Sequence, residues 1–407
     1  MAWLLLCLLL PISGAWLPVP MAVATVLLLV LAWRMRPAVD WRTLWPLGAL
    51  YGLHVLGMAW STDLGFGVFD LQIKAGLVLL PIAAAAFLAL RSNGLHESML
   101  AFTVGNAIAF VLSLANAWYC KAQGGEGCFS QSALSFDLHP SYAAWYACWT
   151  VAYAGHRLLN EKALGLRERV LWMGAALMMA VFIVMLASKS GALGLGLVLI
   201  WLAVSAVRRF AAAGRVAVVL AAAMAAFVAG RGGTVVMERM QAALDAVELA
   251  RAGDPAIYSS SGGSEMRLVA WICSAELIGS DPLGAGTGDV KHALVGCYEA
   301  KDATPALERR LNSHSQFLQG GVALGWLGLL LTLATVLVPL AVGLRRRHAL
   351  LTLFALLFLL NAAVESVLEV QAGVAFVGIL LGLLAANSAG RAHLAAPTRP
   401  EPPAARA

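Results

Sequence analysis

The stretch FLQGGVALGWLGLLLTLATVLVPLAVG, residues 317–343, contains no charged side chain and exceeds the about 20 apolar residues a helix needs to cross a bilayer core. Its apolar residues run continuously rather than alternating, so it reads as a helix and not as a barrel strand. Working outward, comparable runs recur at 1–17, 19–33, 44–60, 70–90, 97–119, 139–156, 170–187, 191–207, 216–230, 349–364 and 371–387. The expected architecture is therefore an all-α polytopic membrane protein with about 12 transmembrane helices. Composition agrees, since 61% of the 407 residues are apolar and 12% charged, against roughly 25% charged in soluble domains.

The first run is read as a membrane helix rather than a signal peptide, because Met1-Ala2-Trp3 supplies no positive n-region and no small-residue cleavage site follows. Orientation follows from Lys and Arg in the short connections. Arg34, Arg36 and Arg42, then Arg91, then Arg157, Lys162, Arg167 and Arg169, then Arg208, Arg209 and Arg215, then Arg345, Arg346 and Arg347, and finally Arg391, Arg399 and Arg406 fall on one side. The opposite short connections hold little beyond Lys121 and Lys189, with Lys74 just inside the fourth run. Both termini are accordingly expected in the cytoplasm. The net charge of +6 mostly reflects these anchors and suggests no nucleic acid partner.

Four units follow: helices one to nine in 1–230, a large periplasmic loop at 231–313, helices ten to twelve in 314–387, and a cytoplasmic tail at 388–407, read as disordered. Cys120, Cys128, Cys273 and Cys297 all fall on the outer side. Two disulfides are possible there, with their pairing and even their formation left open.

Within the loop, Val236, Met240, Leu244 and Val247 recur at helical spacing and predict an amphipathic helix over 235–250. Ser264 is a plausible N-cap for a second helix carrying Arg267 and Trp271 on one face. Arg267 is either an ion-pair partner of Glu265 or Glu276, or an anion clamp. The glycines of Pro282-Leu283-Gly284-Ala285-Gly286-Thr287-Gly288 lack the strand and spacing of a dinucleotide fingerprint. They suit a compact turn or, less simply, a backbone cradle for phosphate.

The loop ends in Arg309-Arg310-Leu311-Asn312-Ser313-His314-Ser315-Gln316. Asn312 or Ser313 can cap the tenth helix, which would place His314 in its first turn at the outer membrane boundary. A positive helix end disfavours a second positive charge, which suits an imidazole that accepts a proton, although a structural cap-region histidine is the plainer reading. Arg309 and Arg310 read equally as a solvated pair or as phosphate contacts. Lys189 sits in the tight turn Ala187-Ser188-Lys189-Ser190-Gly191, as a phosphate contact or a snorkelling lysine. Lys74 follows Asp70 by four residues, which makes an intrahelical ion pair its leading explanation and a buried lysine facing a lipid-linked donor the alternative.

His314-Ser315, nine residues, then Gly325-Trp326-Leu327-Gly328 resembles the His-[Asn/Ser/Gln]-x9-Gly-x-x-[Gly/Thr/Tyr] signature of bacterial O-antigen ligases and their polymerase relatives. Arg267, Trp271 and Pro282-Leu283-Gly284-Ala285-Gly286 look like the Arg, Trp and Pro-x-Gly-x-Gly elements that precede it in that superfamily. At Lys189 relatives commonly carry Ser-Arg, so the charge is kept and the bidentate fork is lost.

The resemblance implies an inverting, metal-independent membrane glycosyltransferase of the GT-C class in the bacterial inner membrane, with a periplasmic active site and no cofactor. Its donor would be undecaprenyl diphosphate-linked O-antigen and its acceptor the lipid A-core oligosaccharide. His314 would be the general base. Arg267, Lys189, Arg310 and Lys74 would contact the donor diphosphate, and Trp271, Gly284, Gly286, Asn312, Ser313 and Gln316 would support them. An O-antigen polymerase or a protein O-oligosaccharyltransferase fits the same signature. From another class, a transporter could use Lys74, Glu365 and Glu369 to line a pathway, but the sequence has no convincing internal repeat.

Overall fold

A computed structural model describes residues 1–209, 241, 244–245 and 247–395. All regular structure among the described residues is helical, and seven helical stretches are long and apolar enough to cross a membrane. The chain is an integral membrane protein.

The first expected run forms only a short helix, α1 (Ala2–Leu9), followed by turns. Eight residues at 1.5 Å per residue span about 12 Å, so α1 cannot cross a bilayer and instead packs on α6. The next runs form α2 (Pro18–Met35), α3 (Trp41–Gly57), α4 (Leu64–Lys74), α5 (Gly76–Leu90), α6 (Gly94–Ala122), α7 (Pro140–Asn160), α8 (Leu166–Leu186) and α9 (Lys189–Arg209). The fourth run is thus two nearly continuous pieces. The run at 216–230, most of the amphipathic helix expected over 235–250, and the tail from 396 lie outside the described residues.

The polar segment folds as α10 (Gly263–Ser280) and α11 (Val290–Ala300), and the chain closes with α12 (Gln316–Arg345), α13 (Ala349–Val364) and α14 (Gln371–Ala395). Gly262, not Ser264, is the N-cap of α10. Both disulfides form, Cys120 with Cys128 and Cys273 with Cys297. The second ties α10 to α11. The two bonded pairs suit an oxidising compartment.

Helix α7 is the centre of the molecule. Trp145, Tyr146 and Trp149 on it are buried against Phe354 and Phe358 of α13 and Phe376 of α14. Protein rather than lipid surrounds most of its faces, which explains why it tolerates more polar residues than its neighbours. The same packing fixes α13 and α14, and hence the short strap 365–370 that joins them.

Helix α12 breaks about a third of the way along, where Leu324 leaves helical geometry and Gly325 takes φ +61°. Broken helices survive at membrane depth only where protein satisfies the freed backbone groups. The loop after α10 does this: Ala285 N donates to Val322 O at 2.9 Å, Gly286 N to Ala323 O at 2.9 Å, and Trp326 N to Pro282 O at 3.3 Å. A Cβ on Gly325 would lie 1.8 Å from Pro282 O, and one on Gly284, itself at φ +76°, 2.4 Å from Gly325 N. The glycine segment is therefore a plug in the helix break. It is the compact-turn alternative, and its glycines serve backbone-to-backbone contact.

Candidate active site

The N-terminal ends of α7, α9 and α10 open on a single cleft of about 560 Å³, lined among others by His139, Lys189, Arg267, Arg309 and His314. Helix N-termini carry partial positive charge and unpaired N–H groups, so their convergence with three cationic side chains makes the cleft a basic pocket at the bundle's end. Ser141, Ser188, Ser190 and Ser264 add hydroxyls to the wall.

His314 lies outside helix α12, not in its first turn: Ser315 is the N-cap and Gln316 the first helical residue. Its φ of +44° is uncommon for a residue with a Cβ, a conformation that costs about 1–3 kcal/mol and persists only where the surroundings impose it. Those surroundings combine Asn312, Ser313 and Trp271, singled out in the sequence, with Ser274 and Gln319, which were not. Asn312 Oδ1 accepts the His314 N–H at 3.0 Å, and Trp271 Nε1 donates to the His314 carbonyl at 3.3 Å. Fully buried Ser313 accepts a hydrogen bond from Ser274 Oγ at 2.9 Å and donates its N–H to Gln319 Oε1 at 3.0 Å.

Glu365, on the strap, is the residue that sequence reasoning did not place at this site. Its Oε1 accepts from Arg267 Nη2 at 2.6 Å and from Ser141 Oγ at 3.2 Å, while its Oε2 stands 3.4 Å from His314 Nδ1. The latter contact falls short of a well-aligned hydrogen bond, leaving Nδ1 buried beside the carboxylate. Burial would raise the proton affinity of Glu365; contact with His314 and the charges of Arg267, His314 and His139 outweigh it and hold the carboxyl below its usual range. A carboxylate on Nδ1 orients the ring, and Nε2 is the nitrogen free of that contact. The available signal was an acid between two apolar runs. Arg267 is paired with Glu365 and not with Glu265 or Glu276, and it remains partly open to the cleft.

Lys189 also lines the cleft, donating to Ser264 Oγ at 2.9 Å. Arg309 lines the cleft whereas Arg310 does not. Lys74 is fully buried outside the cleft, bonded to Asp70 Oδ1 at 2.5 Å and Glu369 Oε2 at 2.9 Å. Gln316 joins this second cluster to the strap, since its Nε2 donates to Glu369 Oε1 at 3.1 Å and its Oε1 accepts from Leu368 N at 2.6 Å. Gly284 and Gly286 are at the α12 break, also away from the cleft. The intrahelical pair expected for Lys74 is present, with a second acid added from the strap.

A basic cleft at helix ends of an integral membrane protein, with a carboxylate-held imidazole on its wall, suits group transfer from an anionic, membrane-embedded substrate. Residues 174–333 match the model of a protein family described as O-antigen ligase. This segment, which takes in Lys189, Arg267, the glycine plug and His314, is what the chain shares with that family. The match supports a membrane enzyme of glycosyltransferase type, with polysaccharide and lipid-linked substrates. No curated protein matches the chain.

Proposed function

We propose that this protein transfers O-antigen polysaccharide from undecaprenyl diphosphate to the lipid A-core oligosaccharide at the periplasmic face of the inner membrane, as a GT-C-type transferase with cytoplasmic termini. The observation that carries the proposal is the convergence of His314, Arg267, Lys189 and Arg309 on one cleft, with Glu365 joining the histidine to Arg267.

The chemistry runs as one displacement. An acceptor sugar hydroxyl loses its proton to His314 Nε2 as its oxygen attacks the anomeric carbon from the face opposite the diphosphate. The new C–O bond forms while the bond from the anomeric carbon to the phosphate oxygen breaks, with inversion, and the electron pair leaves on undecaprenyl diphosphate. Glu365 stands beside Nδ1, which leaves Nε2 as the nitrogen presented to the acceptor hydroxyl. Arg267, Lys189 and Arg309 are placed to balance charge growing on the leaving diphosphate, so turnover needs no metal and should continue in EDTA.

Arg310 and Lys74 fit less directly. Arg310 lies beside the cleft, and Lys74 acts as a buried anchor for the strap. The same pairing argues against a transport pathway through Lys74 and Glu369, whose charges are spent on each other. Purified protein given the lipid-linked glycan with lipid A-core, a second lipid-linked unit, or a Ser/Thr-rich protein tests the reading; transfer only to the second or third acceptor would replace it with polymerase or protein glycosylation.

A further inference from the structure

A second imidazole faces the cleft. His139, immediately before α7, is exposed to it and lies on the wall that includes Pro140 and Ser141. Its Nδ1 accepts the Ser141 backbone N–H at 3.4 Å and so acts as the N-cap of α7. A ring that accepts at Nδ1 carries its proton on Nε2 when neutral. Close packing by protein lowers its proton affinity even though the ring is open to the cleft; Glu365 opposes this, and Arg267 and His314 reinforce it.

The two histidines are thus opposites. His314 turns Nδ1 to a carboxylate and has an acceptor nitrogen to offer, whereas His139 turns Nδ1 to a backbone donor and has an N–H to offer. A fixed donor suits a group that only accepts, and the neighbouring Lys189 and Arg267 favour an anion there.

We infer that His139 is a substrate-binding residue whose Nε2–H donates to a diphosphate oxygen of the lipid-linked donor. The inference rests on the proposed function for the identity of that donor. An N-cap role alone would make the side chain replaceable by asparagine, which caps well but does not reach as far as Nε2. Glutamine reaches that point with an amide donor.

The test uses full-length protein in proteoliposomes, as wild type, His139→Ala, His139→Gln and His139→Asn. Undecaprenyl diphosphate alone is titrated by its effect on the unfolding midpoint, and glycan transfer gives separate KM values for donor and acceptor. The expected result is a donor KM and diphosphate affinity weakened roughly tenfold or more in the alanine variant, largely recovered by glutamine and not by asparagine, with acceptor KM unchanged. Recovery by asparagine alone, or wild-type diphosphate affinity in the alanine variant, overturns the inference. A wild type that binds diphosphate through His139 yet transfers no glycan would instead remove the proposed function and leave the anion contact standing.

Discussion

His314 is held by its backbone N–H and its carbonyl, with the Glu365 carboxylate 3.4 Å from its ring Nδ1. Replacing it with alanine removes the proposed proton acceptor, so turnover should fall about 100- to 10,000-fold, with membrane insertion intact when followed by fractionation. Glu365→Gln keeps the shape of the strap but loses the charge facing Arg267 and His314. It should lower stability by about 1–3 kcal/mol and, by letting the imidazole tilt, reduce kcat about 100-fold. Because the folded carboxyl ionises below its usual value of 4.5, its stabilisation is complete above that value and disappears as pH falls through the lowered one. Unfolding midpoints of wild type and Glu365→Gln should therefore differ at neutral pH and converge in acid; a constant gap would show that the charge is not responsible. Arg267→Lys should restore donor use only in part relative to Arg267→Ala, since an ammonium cannot reproduce the fork, and full restoration would point to charge alone. Arg267, His314 and their backbone partners were legible because they cluster along the chain. Glu365 was not, because one acid between apolar runs does not name a partner so distant in sequence.

At the scale of elements, the signature glycines make one unit with the histidine. Two turns of α12 separate the Ser315 cap from the break at Gly325, and the 282–286 segment plugs that break. Gly325→Ala forces a Cβ into Pro282 O at 1.8 Å and onto a positive φ. The combined cost, about 3 kcal/mol or more from strain and overpacking, should appear as reduced yield of folded protein in detergent, and a variant that folds and turns over normally would refute the plug. Reduction of Cys273–Cys297 frees α10, which carries Arg267 and Trp271, from α11. A loss of stability of about 2–4 kcal/mol is expected, readable as a lower unfolding midpoint in reductant. Sequence spacing found α10 and the α12 run, but it put the start of α12 at Asn312 or Ser313. The polar run before Gln316 is competent to cap; what keeps it out of the helix is tertiary bonding through Ser274, Gln319 and Trp271.

Taken as a whole, the molecule uses its bundle to hold a cationic cleft at one end and to fix the strap 365–370, whose Glu365 contacts Arg267 and His314 of the cleft wall. Membrane class and most helices were readable because lipid demands long apolar runs. Length alone overstated the first run, whose 1–17 apolar stretch gives only Ala2–Leu9 as helix, since apolar residues also serve packing on α6. The most direct measurement of the central claim is glycan transfer by purified wild type and His314→Ala, with undecaprenyl diphosphate-linked glycan and lipid A-core, in EDTA. The account predicts lipid A-core carrying the glycan for the wild type and none above background for the variant. Equal transfer by both, or transfer only after a divalent metal is restored, would contradict it.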